Sequence, residues 1–184
     1  MITNASYYAC LLTRPFIIKA NVLIDRDGHA RLADFGLFAI VPDSLYPTNS
    51  SSPANTGTAR WMSPELLDPV RFGFENSQPT KESDCYALGI VIFEVLSGQA
   101  PFAQYEDFVV ARKIVEGERP GRPEGACFAD DLWETLGLCW SSQPKSRPAI
   151  KAVLECLERV SMTSHACTFP HFIQTAALTF NHPL

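Results

Sequence analysis

The sequence predicts a mainly helical bundle opened by a small β-hairpin, and three observations predict it. Lys81–Ser97 is apolar on every face and is bracketed by a capping threonine, Thr80, and a terminating glycine, Gly98. Three further stretches with amphipathic character, 108–116, 130–140 and 150–160, follow it behind proline-rich connectors. Two short apolar runs flank an Asp-Gly pair ahead of all of these.

The elements follow in chain order. Asn21-Val22-Leu23-Ile24, then Asp25-Arg26-Asp27-Gly28, then His29 to Ala33 is the pattern of two short strands around a tight turn. Leu37 to Arg60 carries Pro42 and Pro47, then Ser50-Ser51-Ser52-Pro53, then Gly57, and reads as a long loop. Loops longer than about 15 residues inside a compact domain are usually functional or disordered. Thr80 is placed to cap the helix over 81–97, because its hydroxyl can accept a free first-turn N–H. Gly98 suits the left-handed conformation that ends helices. A helix without a polar face has to lie in the middle of a fold. Connectors such as Arg119-Pro120-Gly121-Arg122-Pro123 then separate the amphipathic helices.

Composition bounds the function. The chain has 184 residues, 46% of them hydrophobic, with 15 basic against 20 acidic side chains. That length favours one domain and can bury about 70% of the unfolded surface. A net charge of −5 gives no basic footprint for nucleic acid. The longest apolar run, Ala87 to Phe93, is interrupted by Glu94 and falls short of the roughly 18 residues that span a bilayer, so no membrane span is expected. Met1 to Thr13 lacks a basic n-region, so no signal peptide is expected and a cytoplasmic setting follows. The six cysteines are scattered without a CxxC pair, which argues against structural zinc and for reduced thiols, with Cys85, Cys139 and Cys156 packed as small hydrophobes. Three compositional zones appear: 1–24, without Asp, Glu, His or Gly, a mixed and periodic 25–160, and a tail over 161–184 without Asp, Glu, Lys or Arg.

A series of short motifs runs through the middle zone in a fixed order. Asn21-Val22-Leu23-Ile24 precedes Asp34-Phe35-Gly36, and Gly57-Thr58-Ala59-Arg60-Trp61-Met62-Ser63-Pro64-Glu65 follows. Ser83-Asp84-Cys85-Tyr86-Ala87-Leu88-Gly89, Gly98-Gln99-Ala100-Pro101-Phe102, Cys139-Trp140 and Arg147-Pro148 complete it. The series resembles the C-terminal lobe of a eukaryotic protein kinase, and is most similar to the tyrosine-kinase-like group.

The resemblance implies a protein kinase-like C-lobe over 17–160, with Mg²⁺ and ATP as cofactors. Asn21 and Asp34 match the family's metal-holding positions and would supply hard oxygens to the cation on the nucleotide phosphates. Without the resemblance, Asn21 is a polar residue at a strand start and Asp34 a turn residue at a strand end. Leu37 to Ser63 resembles the activation segment, with Ser44, Thr48, Ser50, Ser51, Ser52 and Thr56 as candidates for phosphorylation. Thr58 matches a structural position near the end of that segment. Glu65 with Arg147 resembles the family's buried ion pair. Asp84 resembles the family residue that accepts bonds from the catalytic-loop backbone; a simple charge at a helix N-terminus is the alternative.

Residues 1–16 do not resemble the family, and the stretch before Asn21 departs from its pattern in several ways. Phosphoryl transfer uses a carboxylate five positions before the loop asparagine, and counting back from Asn21 reaches Phe16. No Asp, Glu or His precedes Asp25, the matching lysine position holds Ile18 beside Lys19, and no glycine precedes Gly28. The expectation is a C-lobe without the N-lobe and without catalysis as this chain. Two further readings stay open: a pseudokinase-type module that docks a protein or peptide, and an active kinase whose true start lies upstream. Serine/threonine and tyrosine specificity are not separable from these residues.

Overall fold

The computed structural model describes residues 22–24, 26, 30–32, 58–124 and 128–163. Strand β1 (Val22–Ile24) pairs antiparallel with β2 (Ala30–Leu32) in the register Val22↔Leu32, Leu23↔Arg31, Ile24↔Ala30. That is the expected hairpin. Arg26 lies exposed in its turn, while Asp27 and Gly28 fall outside the described residues.

A 3-10 turn at Thr58–Trp61 leads into the one-turn helix α1 (Pro64–Leu67). Proline starts α1 because its fixed φ suits a first helical turn and its missing N–H would be unbonded there anyway. A second 3-10 turn, Val70–Phe72, closes on Gly73 at φ 81. Neither α1 nor these turns was expected from the sequence, since elements of three or four residues are too short to show a period.

Helix α2 (Lys81–Ser97) has the predicted bounds and caps. The Thr80 hydroxyl accepts from the Ser83 amide and the Ser83 hydroxyl accepts from the Thr80 amide, so two free first-turn donors are satisfied reciprocally. Gly98 ends the helix at φ 69, with its amide bonded to the Glu94 carbonyl. Helices α3 (Asp107–Val115), α4 (Asp130–Cys139) and α5 (Ile150–Thr163) complete the bundle, with a 3-10 turn at Pro144–Ser146 before α5. Trp140 caps α4 rather than extending it. Helix α5 runs past Val160 to Thr163, because no glycine or proline stands there to stop it.

The core is built around α2. From Cys85 to Glu94 every residue of this helix is buried, as an apolar surface without a polar face requires. It packs on α4, and α4 packs on α5. Leu132, Leu136 and Val153 are fully buried, each contributing about 1.5–3 kcal/mol by leaving water. Phe93, Phe128, Trp133 and Trp140 form a chain of ring contacts, with Trp133 and Trp140 edge-to-face at 5.6 Å. Close approach of α2 to α4 depends on Gly89, where a Cβ would stand 2.8 Å from both Cys139 Cβ and Trp140 Nε1. Helix α3 packs on the other side, against Thr58–Trp61 and α1. Cys85, Cys139 and Cys156 are free and buried.

Candidate functional site

The stretch Thr58–Glu65 is largely buried, with Thr58, Arg60 and Trp61 half-buried, and three of its side chains fasten it in three directions. Arg60 reaches outward to the loop between α2 and α3. Its Nε and Nη2 donate to Asp107 Oδ1 at 2.8 and 2.6 Å, its Nη1 to the carbonyls of Pro101 and Phe102 at 2.8 and 2.7 Å, and its Nη2 also to the Tyr105 carbonyl at 2.8 Å. A guanidinium carries five N–H groups, and all five are engaged. Trp61 reaches inward, its Nε1–H donating to Glu94 Oε2 at 3.0 Å.

Glu65 sits at the far end of the stretch and meets Arg147 in a two-pronged pair: Nη1 to Oε1 and Nη2 to Oε2, both 2.7 Å. The two side chains are 6% and 0% exposed. Buried charges need their remaining donors satisfied as well, and Arg147 also donates to the carbonyls of Ser141 at 3.0 Å and Glu82 at 2.9 Å. Met62, Ser63 and Pro64, between Trp61 and Glu65, are buried.

Beneath this pair lies Tyr86, 0% exposed, its ring flanked by Arg147 at 5.2 Å and Arg119 at 5.5 Å. Its hydroxyl has no hydrogen-bond partner. Burial pushes the phenol up to about 12, outweighing the two guanidinium groups that favour ionisation. The Cys139 thiol is pushed up by its hydrogen bond with Cys85 and by burial, so it stays protonated and packs as an apolar group.

The residues singled out from sequence fall in two sets. Glu65 and Arg147 are brought together. Asp84 lies half-buried in the first turn of α2, two positions from Glu82, whose carbonyl Arg147 takes. Thr58 opens the 3-10 turn and is half-buried. Phe16, Asn21, Asp34 and the candidate phosphorylation residues 44–56 lie outside the described residues. Sequence reasoning missed Arg60, Asp107 and the buried role of Glu94. Arg60 left one signal, as the one basic side chain in Thr58–Glu65; Asp107 left none, 47 positions away. Among the described residues there is no cluster of metal-ligating side chains, and no helix is long and apolar enough to cross a membrane.

A helical lobe with a hairpin ahead of it, a fastened segment ending in a buried glutamate–arginine pair, and a central buried helix define the kinase class of fold. Residues 16–157 match the family described as protein tyrosine and serine/threonine kinase, and the chain belongs to that family. It is similar to receptor-interacting serine/threonine-protein kinase 3 of Rattus norvegicus, 33% identical over 141 residues, 72% of this chain and 28% of that protein. It is similar also to cytoplasmic tyrosine-protein kinase BMX of Homo sapiens, 30% identical over 75% of this chain and 19% of that protein. Serine/threonine-protein kinase VIK of Arabidopsis thaliana is 27% identical over 79% of the chain and 34% of its own length. The chain thus spans about a third or less of these relatives. Both serine/threonine and tyrosine kinases stand among them, in keeping with a sequence that does not separate the two specificities.

Proposed function

We propose that this chain works as the acceptor-binding lobe of a protein kinase, holding a protein or peptide against Thr58–Glu65 and the loop before α3, and that it supplies no catalytic base. The observation that carries the first half is the fastening of Thr58–Glu65, with the Glu65–Arg147 pair buried beneath it. A surface held this way binds without paying to order itself first. The second half rests on Phe16, which stands where the family has its proton-accepting carboxylate and has no group that can take a proton. Asn21 and Asp34 keep the oxygen donors that suit Mg²⁺ on nucleotide phosphates, so Mg²⁺ and ATP are proposed as ligands of those two residues.

The test is a phosphotransfer assay with γ-labelled ATP, Mg²⁺ and a peptide library centred on Ser, Thr or Tyr, run beside peptide capture. Capture without label transfer is the expected result. Magnesium-dependent transfer that Asp34→Asn abolishes would overturn the second half and favour an active kinase, the reading that the retained Asn21, Asp34 and Asp84 also fit. Failure to capture any peptide would overturn the first.

A further inference from the structure

We propose that Arg60 is a positioning residue that keeps the acceptor face assembled without a phosphate group. The proposal deepens the acceptor-binding reading and rests on it for what the face does. Segments of this kind are commonly ordered when a phosphate arrives and pairs with an arginine. Arg60 has no donor left for such a partner. Asp107 already supplies the negative charge, taking two of the five bonds, and three peptide carbonyls take the rest. The Arg60 side chain is 13% exposed, while that of its partner Asp107, in the first turn of α3, is 58% exposed.

The loop is shaped around this one side chain. Phe102 holds φ 55, a left-handed conformation that a bulky residue rarely adopts, and its ring is 2% exposed in the core. Its carbonyl receives both the Tyr105 amide at 3.0 Å and Arg60 Nη1. Tyr105 is fixed from the far side as well, its hydroxyl donating to Glu118 Oε1 at 2.5 Å with Lys113 over its ring at 5.3 Å. Arg60 therefore sets the spacing between the two walls of the face, Thr58–Glu65 and the loop before α3. A lysine cannot replace it, because an ammonium has three donors at one point instead of a planar fork.

Hydrogen exchange of the full chain, before and after phosphatase treatment, tests this against Arg60→Ala, Arg60→Lys and Asp107→Asn. The Tyr105 amide, bonded to the Phe102 carbonyl, should exchange slowly and equally in treated and untreated wild type. Arg60→Ala and Arg60→Lys should each speed it by about tenfold or more, the factor that losing one bond to a charged group implies. Asp107→Asn should speed it less, since the three carbonyl bonds remain. Amides of α2 should not change, and the same peptide library should be captured less well by both Arg60 variants. Wild-type exchange in Arg60→Lys, or faster exchange after phosphatase, would overturn the proposal. If Arg60→Ala speeds the α2 amides too, Asp107→Asn in an intact core decides by the same comparison. Should wild type capture no peptide, the acceptor-binding reading fails while the exchange data still judge the clamp.

Discussion

Replacing Glu65 by glutamine should cost far more than a surface ion pair would suggest. The substitution keeps the shape of the side chain and removes its charge, leaving Arg147 with two carbonyl acceptors and the face of Tyr86 but no counter-ion. The Arg147 side chain is 0% exposed, so water cannot take over. Breaking a buried pair from one side typically costs about 3–5 kcal/mol, against a whole-domain stability of about 5–15 kcal/mol. At about 2–4 °C per kcal/mol for a chain of this size, the melting temperature should fall by about 6–20 °C. Urea and thermal unfolding followed by tryptophan fluorescence would read this, since Trp133 and Trp140 sit in or against the core. The double variant Glu65→Leu/Arg147→Met is the informative partner. A buried pair loses much of its attraction to desolvation, so the double variant should return to within about 2 kcal/mol of wild type. A loss below about 1 kcal/mol in Glu65→Gln would show the pair to be solvated. Simple addition of the two single effects would show that it is not coupled. Either result refutes the reasoning.

Tyr86→Phe removes a buried hydroxyl that has no partner, so it should be neutral or stabilising by about 1 kcal/mol near neutral pH. The same variant should flatten the alkaline limb of stability. The folded phenol titrates at about 12 against an ordinary 10, so its contribution is fully present below pH 10 and is lost as the pH rises towards 12. Wild type minus variant in urea melts between those values isolates this residue; a flat difference contradicts the burial argument. Gly89→Ala should destabilise by about 1–3 kcal/mol, because the added methyl would stand 2.8 Å from Cys139 Cβ and from Trp140 Nε1 and would push α2 off α4. A melting temperature equal to wild type would show that the interface yields without cost.

How much of this was readable in advance follows from how far apart the interacting residues lie. The bounds and caps of α2 were legible because Thr80, Ser83 and Gly98 act on their own neighbours. Helices α3 to α5 and the hairpin likewise announce themselves through local periodicity and turn residues. The ends moved by a residue or a few, as at Asp107 and Thr163, where propensity is weak and packing decides. Helix α1 was missed because one turn has no period to detect. The site is different in kind. Glu65 and Arg147 are 82 positions apart, and only the likeness to a family pairs them. Glu94 reads in sequence as an interruption of an apolar run, yet it is 6% exposed and faces Trp61. Nothing local distinguishes a buried glutamate with a distant indole partner from an exposed one.

The stability of the lobe and the geometry of its face share one support, helix α2. Trp61 is held by Glu94 near the C-terminal end of that helix, and Glu65 is held through Arg147 to the Glu82 carbonyl near its start. These two points lie about 18 Å apart along a helix axis. Four residues of extended chain from Trp61 to Glu65 span at most about 14 Å, so the long side chains of Trp61 and Arg147 must cover the remainder. The stretch is therefore strung along the core helix between two fixed ends rather than resting on a loop. Any change that shifts α2, such as a methyl at Gly89, moves both ends together and should disturb binding and folding in step. Arg60 points the other way, to a loop outside this span, and can be loosened while both ends hold. That asymmetry separates the two kinds of variant: core substitutions change melting and exchange throughout α2, whereas Arg60 substitutions change the face alone.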